Sequence, residues 1–128
     1  MDSWATPIWL MDVFEDWFDP CPLNDNPKVN GLDIEWKDKT YVNPPYSNPL
    51  PWVEKAIEES KKGKTIVMLL NVDTSTKWFA KLNEANAHFI WFAERLKFSE
   101  KDASPRPSML VVLDKCNSVA KSKPEVSN

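Results

Sequence analysis

Four consecutive residues, Asn43-Pro44-Pro45-Tyr46, join a side-chain amide, a fixed carbonyl and a flat ring in one short stretch. An aromatic amine is a poor nucleophile because its lone pair is delocalised into the ring, so a catalyst must hold it out of conjugation and aim it. The Asn43 side-chain oxygen and the Pro44 carbonyl can each accept one N–H of such an amine, drawing it toward tetrahedral geometry for attack on a sulfonium methyl. The prolines fix the direction of that carbonyl, and Tyr46 offers a face on which a base turned out of a helix can stack. No base is needed beforehand, because the proton becomes acidic only once the nitrogen carries the methyl group. The structural alternative is a rigid turn after a strand, with Tyr46 packed on the surface. Taking Pro at roughly 5% and Asn and Tyr at a few per cent each, a chance match in a chain of this length is about one in a thousand, which favours the chemical reading.

The elements that position this motif follow from local signals. Thr6-Pro7 starts a helix over residues 7 to about 17, a Thr cap preceding Pro at the first helical position, with Leu10, Phe14, Trp17 and Phe18 at helical spacing. Asp19-Pro20-Cys21-Pro22 stops it, and Phe18-Asp19 reads as the end of a very short strand. Residues 22 to 39 form a long ligand-type loop holding the Gly31 turn. Thr40-Tyr41-Val42 is a short β-prone run, which places the motif at the carboxyl end of a strand, where open α/β sheets bind ligands. A second helix is expected from Pro51 to Lys62 with Gly63 as its stop, then a strand at Thr65 to Leu70 buried on both faces. Ser75 should cap a third helix bearing Trp78, Phe79 and Leu82, followed by strands at His88 to Phe92, Leu96 to Phe98 and Met109 to Leu113. This alternation implies an α/β sheet, mostly parallel, with an antiparallel C-terminal strand pair. Residues 1–116 form the expected domain, and 117–128 a disordered tail without apolar periodicity.

Composition limits the alternatives. The 128 residues, 42% hydrophobic and 27% charged, suit one domain in which 7 Trp and 6 Phe carry much of the core. A net charge of -3 excludes a polybasic protein that holds nucleic acid by bulk charge, so any such contact must be local. No apolar stretch approaches the roughly 20 residues that cross a bilayer, and the acidic N-terminus lacks a secretory signal, so a cytoplasmic protein is the expectation. His88 is the sole histidine and lies in a strand-like run, while Cys21 and Cys116 are isolated, which argues against a metal site or a Ser-His-Asp triad.

The chain resembles the phage-type DNA N6-adenine methyltransferases, a compact branch of the amino-methyltransferases. The likeness runs from about Trp4 to Leu113 and rests on Trp4-Ala5-Thr6-Pro7, Asp19-Pro20-Cys21, Asn30-Gly31-Leu32 with Trp36, and Val42-Asn43-Pro44-Pro45-Tyr46. Val67-Met68-Leu69-Leu70 with Thr74 and Trp78, Arg95-Leu96-Lys97-Phe98 and Pro107-Ser108 continue it. The resemblance implies a reduced Rossmann-like methyltransferase sheet using S-adenosylmethionine to methylate the adenine amino group in double-stranded DNA, the adenine being flipped out. It places Asn43, Pro44, Pro45 and Tyr46 at the catalytic centre and Thr6, Pro7, Asp19, Pro20 and Cys21 along the cofactor, with Gly31 and Asp33 beside them. Only Gly31 and Gly63 occur in the chain, so no GxG loop covers the cofactor, and the interval from Asp19 to Asn43 leaves no room for two further strand–helix units. A partly open cofactor pocket follows.

Each assignment has a plainer counterpart. Asp19 can be a helix-stop carboxylate, Asp33 a solvated loop acid and Cys21 a small buried residue. Arg95, Lys97, Lys101 and Arg106, with Ser47 beside the motif, are the candidate nucleic-acid contacts, set against a merely solvated basic face. NPPY-type motifs also serve RNA bases and protein glutamine, and a non-catalytic nucleic-acid-binding remnant of the fold is the rival from another class. A small acidic domain can cover enough DNA by pairing with itself or by using a host partner.

Overall fold

The computed structural model describes residues 8–21, 30–45, 47–92 and 107–114, the side chains of residues 8, 9 and 11 excepted. The described chain runs α1 (Ile8–Val13), a 3-10 turn (Gly31–Asp33), β1 (Lys39–Val42), α2 (Leu50–Lys61), β2 (Thr65–Asn71), α3 (Lys77–Glu84), β3 (His88–Trp91) and β4 (Ser108–Leu113).

One sheet in the order β1-β2-β4-β3 holds these strands. β1 and β2 are parallel with Val42 opposite Met68, whereas β4 is antiparallel to both β2 and β3. The expected C-terminal antiparallel pair is therefore present, but the pairing is mixed rather than mostly parallel. β1, β2 and β3 share one direction, and the reversed β4 enters between β2 and β3. The reason is burial: β4 is apolar on both faces, as β2 is, and such a strand belongs inside a sheet, whereas β3 is largely exposed and takes an edge. Phe18 adds a single parallel bridge to Thr40 on the other side of β1, held by Phe18 N–H to Lys39 and Tyr41 N–H to Phe18.

Strand alternation divides the core in two. Val42, Ile66, Met68, Leu70, Met109, Val111 and Leu113 pack against Trp52, Val53 and Ala56 of α2 and Trp78 and Leu82 of α3. Tyr41, Val67, Leu69 and Leu110 face the other way, onto Leu10 of α1 with Phe14 and Trp17. Aliphatic strands do more of the filling than the aromatic count suggests, although Trp36, Trp52 and Trp78 are buried.

Two local expectations are corrected. The first helix ends at Val13, not near Trp17: the chain turns so that Trp17 N–H bonds the Phe14 carbonyl, Phe14 stacks on Tyr41 at 4.8 Å, and Phe18 is extended beside β1. Phe18 packs on the opposite side of the sheet from Trp17, which an extended backbone permits and a continued helix does not. The cap of α3 is Thr76, whose hydroxyl accepts from Phe79 N–H, because Ser75 bonds the Asp73 carboxylate through both its amide and its hydroxyl. The second helix and the β2 strand fall within a residue of expectation, and Gly63, at φ 101°, ends α2 in a conformation glycine adopts without strain. The Leu96 to Phe98 strand, Cys116 and the 117–128 tail lie outside the described residues.

Candidate functional site

Asn43-Pro44-Pro45 leaves the sheet directly after β1, at its carboxyl end, as the motif's position demanded. Asn43 and Pro44 are buried and Pro45 is half-buried. The single bridge at Phe18 puts Asp19-Pro20-Cys21 at the corresponding end of the neighbouring chain, about one strand spacing away. On the opposite side of β1, β2 ends at Asn71 and leads through Asp73 to the α3 cap. The motif therefore stands between two flanking segments, 19–21 on one side and 71–76 on the other.

Between the motif and the end of β2 lies a cleft that opens to solvent. Pro44, Pro45 and Pro49 form one wall; Leu70, Asn71 and Asp73 the next; Thr76 and Trp78 the third. Asn43 does not line it but lies buried immediately behind Pro44. No wall residue is Lys or Arg, so the cleft offers carbonyls, an amide, a hydroxyl and a carboxylate beside apolar rings. That surface suits a flat, uncharged ring bearing N–H groups.

The segment on the other side has a different character. Asp19 accepts the Cys21 amide through Oδ1 at 2.9 Å, and its pKa is raised because desolvation outweighs that hydrogen bond. Among the described residues Asp19 forms no ion pair. Burial, then the Asp19 charge, pushes the Cys21 thiol up to about 11, so it is a neutral side chain packed on the core and not a nucleophile.

Gly31 ties the long loop to this segment. A Cβ there would collide with the Pro20 carbonyl oxygen, so only glycine lets the two backbones meet. The loop is held in turn by Trp36 Nε1, which donates to the Gly31 carbonyl at 2.8 Å, and by Asn30, which accepts from Leu32 N–H. Gly31 thus acts through backbone packing against Pro20, while Asp33 is exposed on the turn's far end.

Of the residues singled out from sequence, Asp19, Pro20, Cys21, Gly31, Asn43, Pro44 and Pro45 converge around the carboxyl end of β1. Ser47 is exposed just beyond it. Thr6, Pro7, Tyr46, Arg95, Lys97 and Arg106 lie outside the described residues. Sequence reasoning missed Asn71, Asp73, Thr76 and Pro49 as cleft residues. The available signal was position: a polar residue straight after a fully buried strand marks that strand's carboxyl end. Among the described residues no group of His, Cys, Asp or Glu is arranged to hold a metal ion, and no helix is long and apolar enough to cross a membrane.

The family model for DNA N-6-adenine-methyltransferase (Dam) matches residues 1–125. A DNA N-6-adenine-methyltransferase of Haemophilus phage HP1 is 38% identical over 136 aligned positions, covering 88% of this chain and 79% of the relative. A second protein of that name, from Escherichia phage T1, is 45% identical over 66 positions, covering 50% of this chain and 28% of the relative. No solved structure matches the chain.

Proposed function

Because the chain belongs to the DNA N-6-adenine-methyltransferase (Dam) family, we propose that it methylates the N6 amino group of a flipped adenine at the Asn43-Pro44-Pro45-Tyr46 motif, with S-adenosylmethionine as donor. The observation that carries this reading is the motif's place at the carboxyl end of β1 between two flanks, the desolvated segment at 19–21 on one side and the proline-walled cleft at 71–76 on the other. A transfer site needs donor and acceptor on opposite sides of the groups that align them. Family membership also decides among the amine substrates that the motif alone leaves open, and it counts against a non-catalytic remnant.

The residues present fit the donor. S-adenosylmethionine supplies a methyl group already activated on a sulfonium, together with an ammonium and ribose hydroxyls. Asp19, raised in pKa by desolvation and without an ion pair among the described residues, suits the positive charge, and Thr6, Pro7, Pro20 and Cys21 would complete that wall. On the acceptor side, Asn43 Oδ1 and the Pro44 carbonyl accept the two amino hydrogens, Tyr46 stacks on the extruded ring, and the cleft keeps water off its lower face. The sheet would then be a reduced Rossmann-like one, with ligands gathered at the carboxyl ends of its parallel strands. Double-stranded DNA is the partner, met through Ser47 and the basic residues Arg95, Lys97 and Arg106, with a second copy or a host protein extending the contact. DNA as substrate implies work in the cytoplasm.

Labelled S-adenosylmethionine offered with DNA, followed by nucleoside analysis, should yield N6-methyladenine. Tyr46→Phe should retain activity, whereas Tyr46→Ala should lose base capture worth roughly 1–3 kcal/mol. Absence of label in DNA, or equal inactivity of the two Tyr46 variants, would overturn the proposal or its stacking step respectively.

A further inference from the structure

DNA engaged at the motif meets more of the surface than the cleft that takes one base. A duplex presents a major groove about 12 Å wide, so the rim of the sheet within that reach of the cleft is contact surface as well. The strand register fixes which residues lie there. Leu70, in the cleft wall, and Trp91, the last residue of β3, both pair with Met109 of β4, one from each side. Residues paired in this way share a face. Trp91 therefore stands level with Leu70 on the same face of the sheet, two strand spacings or about 10 Å away.

Trp91 differs from the other tryptophans whose side chains are described. Trp36, Trp52 and Trp78 are buried and Trp17 is half-buried, whereas Trp91 is 55% exposed. Core packing does not account for a tryptophan here, because a ring left in water adds little apolar burial. The ring is nonetheless held. Phe79 of α3 stacks on Phe89 at 5.1 Å and 26°, and Phe89 on Trp91 at 5.8 Å and 16°, a ladder of three rings that runs from the helix out to the rim. A side chain already held in this way costs little further ordering when a partner stacks on it. Ile90, also exposed, lies on the opposite face by strand alternation and takes no part.

Extruding an adenine leaves its neighbours in the stack with an uncovered face, and a flat aromatic ring is the group that covers such a face. Resting on the reading that the adenine enters the cleft, we propose that Trp91 stacks on a base next to the extruded adenine and so holds the DNA open over the site. Every base has a π-face, so this contact adds affinity without reading sequence. It also answers a need set by composition, since a chain of net charge -3 does not gather phosphates by bulk attraction.

The test uses the full chain and a duplex oligonucleotide carrying a site that the wild-type enzyme methylates, with 2-aminopurine placed on one or the other side of the target adenine. Trp91→Ala should weaken duplex binding by about tenfold, the lower part of the range for one stacked base, and raise KM for DNA more than it lowers kcat. Trp91→Phe should keep most of the affinity. The wild type should quench one of the two 2-aminopurines by stacking, and Trp91→Ala, saturated with the same duplex, should leave that probe bright. A merely structural role would not produce that signature. The contact neutralises no phosphate, so the salt dependence of binding should keep its slope in Trp91→Ala. Undiminished duplex affinity in Trp91→Ala, or the same probe response in Trp91→Ala and wild type, would overturn the assignment. So would self-association of the wild type that Trp91→Ala abolishes with DNA binding unchanged, which would make the end of the ladder an interface between copies. Failure of the wild type to methylate any adenine duplex would instead overturn the function on which the assignment rests.

Discussion

The two ends of β2 solve the problem of buried polarity in opposite ways. At its amino end, Lys64 is buried with all three ammonium hydrogens used, on Glu59 at 2.5 Å, the Trp36 carbonyl at 2.6 Å and Glu35 at 2.9 Å. The Glu59 side chain is 0% exposed and also meets Lys55 and Lys62 at 3.2 and 3.4 Å. At its carboxyl end, the buried Asn71 Oδ1 has no hydrogen-bond partner among the described residues, beside a cleft walled by prolines. The first end joins α2, the sheet and the 30–36 loop into one scaffold. The second holds polar capacity in reserve, which is useful only if something outside the chain completes it.

The largest expected effects break the scaffold end. Lys64→Ala leaves Glu59 buried with its closest cation gone, so stability should fall by about 3 kcal/mol, the lower part of the range for splitting a buried pair because Lys55 and Lys62 remain. Denaturant midpoints measure it, and a loss under about 1 kcal/mol would make this cluster no different from a surface pair. The same cluster sets an acid limit. Burial pushes the Glu59 carboxyl up, but hydrogen bonds and charge from Lys64 and Lys55 outweigh it and hold the pKa at about 2. A depressed folded pKa stabilises above the ordinary value of 4.5, and that contribution is lost as pH falls from there toward 2. Glu59→Gln should flatten the pH dependence of the denaturant midpoint across this window.

Next in size is the catalytic loss at the other end. Asn43→Ala removes the acceptor proposed to orient the amine, so the methylation rate should fall on the order of a hundredfold or more while DNA affinity is nearly intact. Single-turnover kinetics with a parallel DNA-binding titration separate the two. Full activity in this variant would remove the reason to regard the carboxyl end as the site.

Smaller effects sharpen the comparison on the cofactor side. Gly31→Ala drives a Cβ into the Pro20 carbonyl, and overpacking of this kind costs about 1–3 kcal/mol. Displacing Pro20 should also weaken S-adenosylmethionine binding by calorimetry. Gly63→Ala meets no atom and pays only for its positive φ, about 1 kcal/mol, with cofactor affinity unchanged. Equal cofactor affinities in the two variants would show that the Gly31–Pro20 contact serves only the fold. The smallest change is expected from Asp19→Asn. Because desolvation raises the Asp19 pKa, its charge costs stability as pH rises through that raised value, so the variant should melt slightly higher at neutral pH yet bind the cofactor more weakly. A variant that melts lower at neutral pH would show that the ionised form stabilises the fold.

Several features were legible because their causes are local. Asn43 is followed by two prolines, so β1 had to stop where it does, and the continuous apolar run from Ile66 to Leu70 required cover on both faces. Other features depended on competition between neighbours. Ser75 and Thr76 can both cap a helix, and the choice fell to Thr76 only because Asp73 claims Ser75. Leu10, Phe14 and Trp17 keep helical spacing, yet the helix stops at Val13 because Phe18 must reach Thr40 as extended chain.

By itself the sequence determined the Asn43-Pro44-Pro45-Tyr46 motif, the glycine at which the long loop turns, and the identity of most strands and helices, since each depends on residue chemistry and spacing within a few positions. Only the tertiary structure decided that β4 enters between β2 and β3, that Gly31 rests on Pro20, and that Asn71 shares a cleft with Pro44 and Pro45. Those relations join residues from about 10 to more than 40 positions apart, and they exist because apolar strands and helix faces are buried together, a condition of the whole chain that no local window contains.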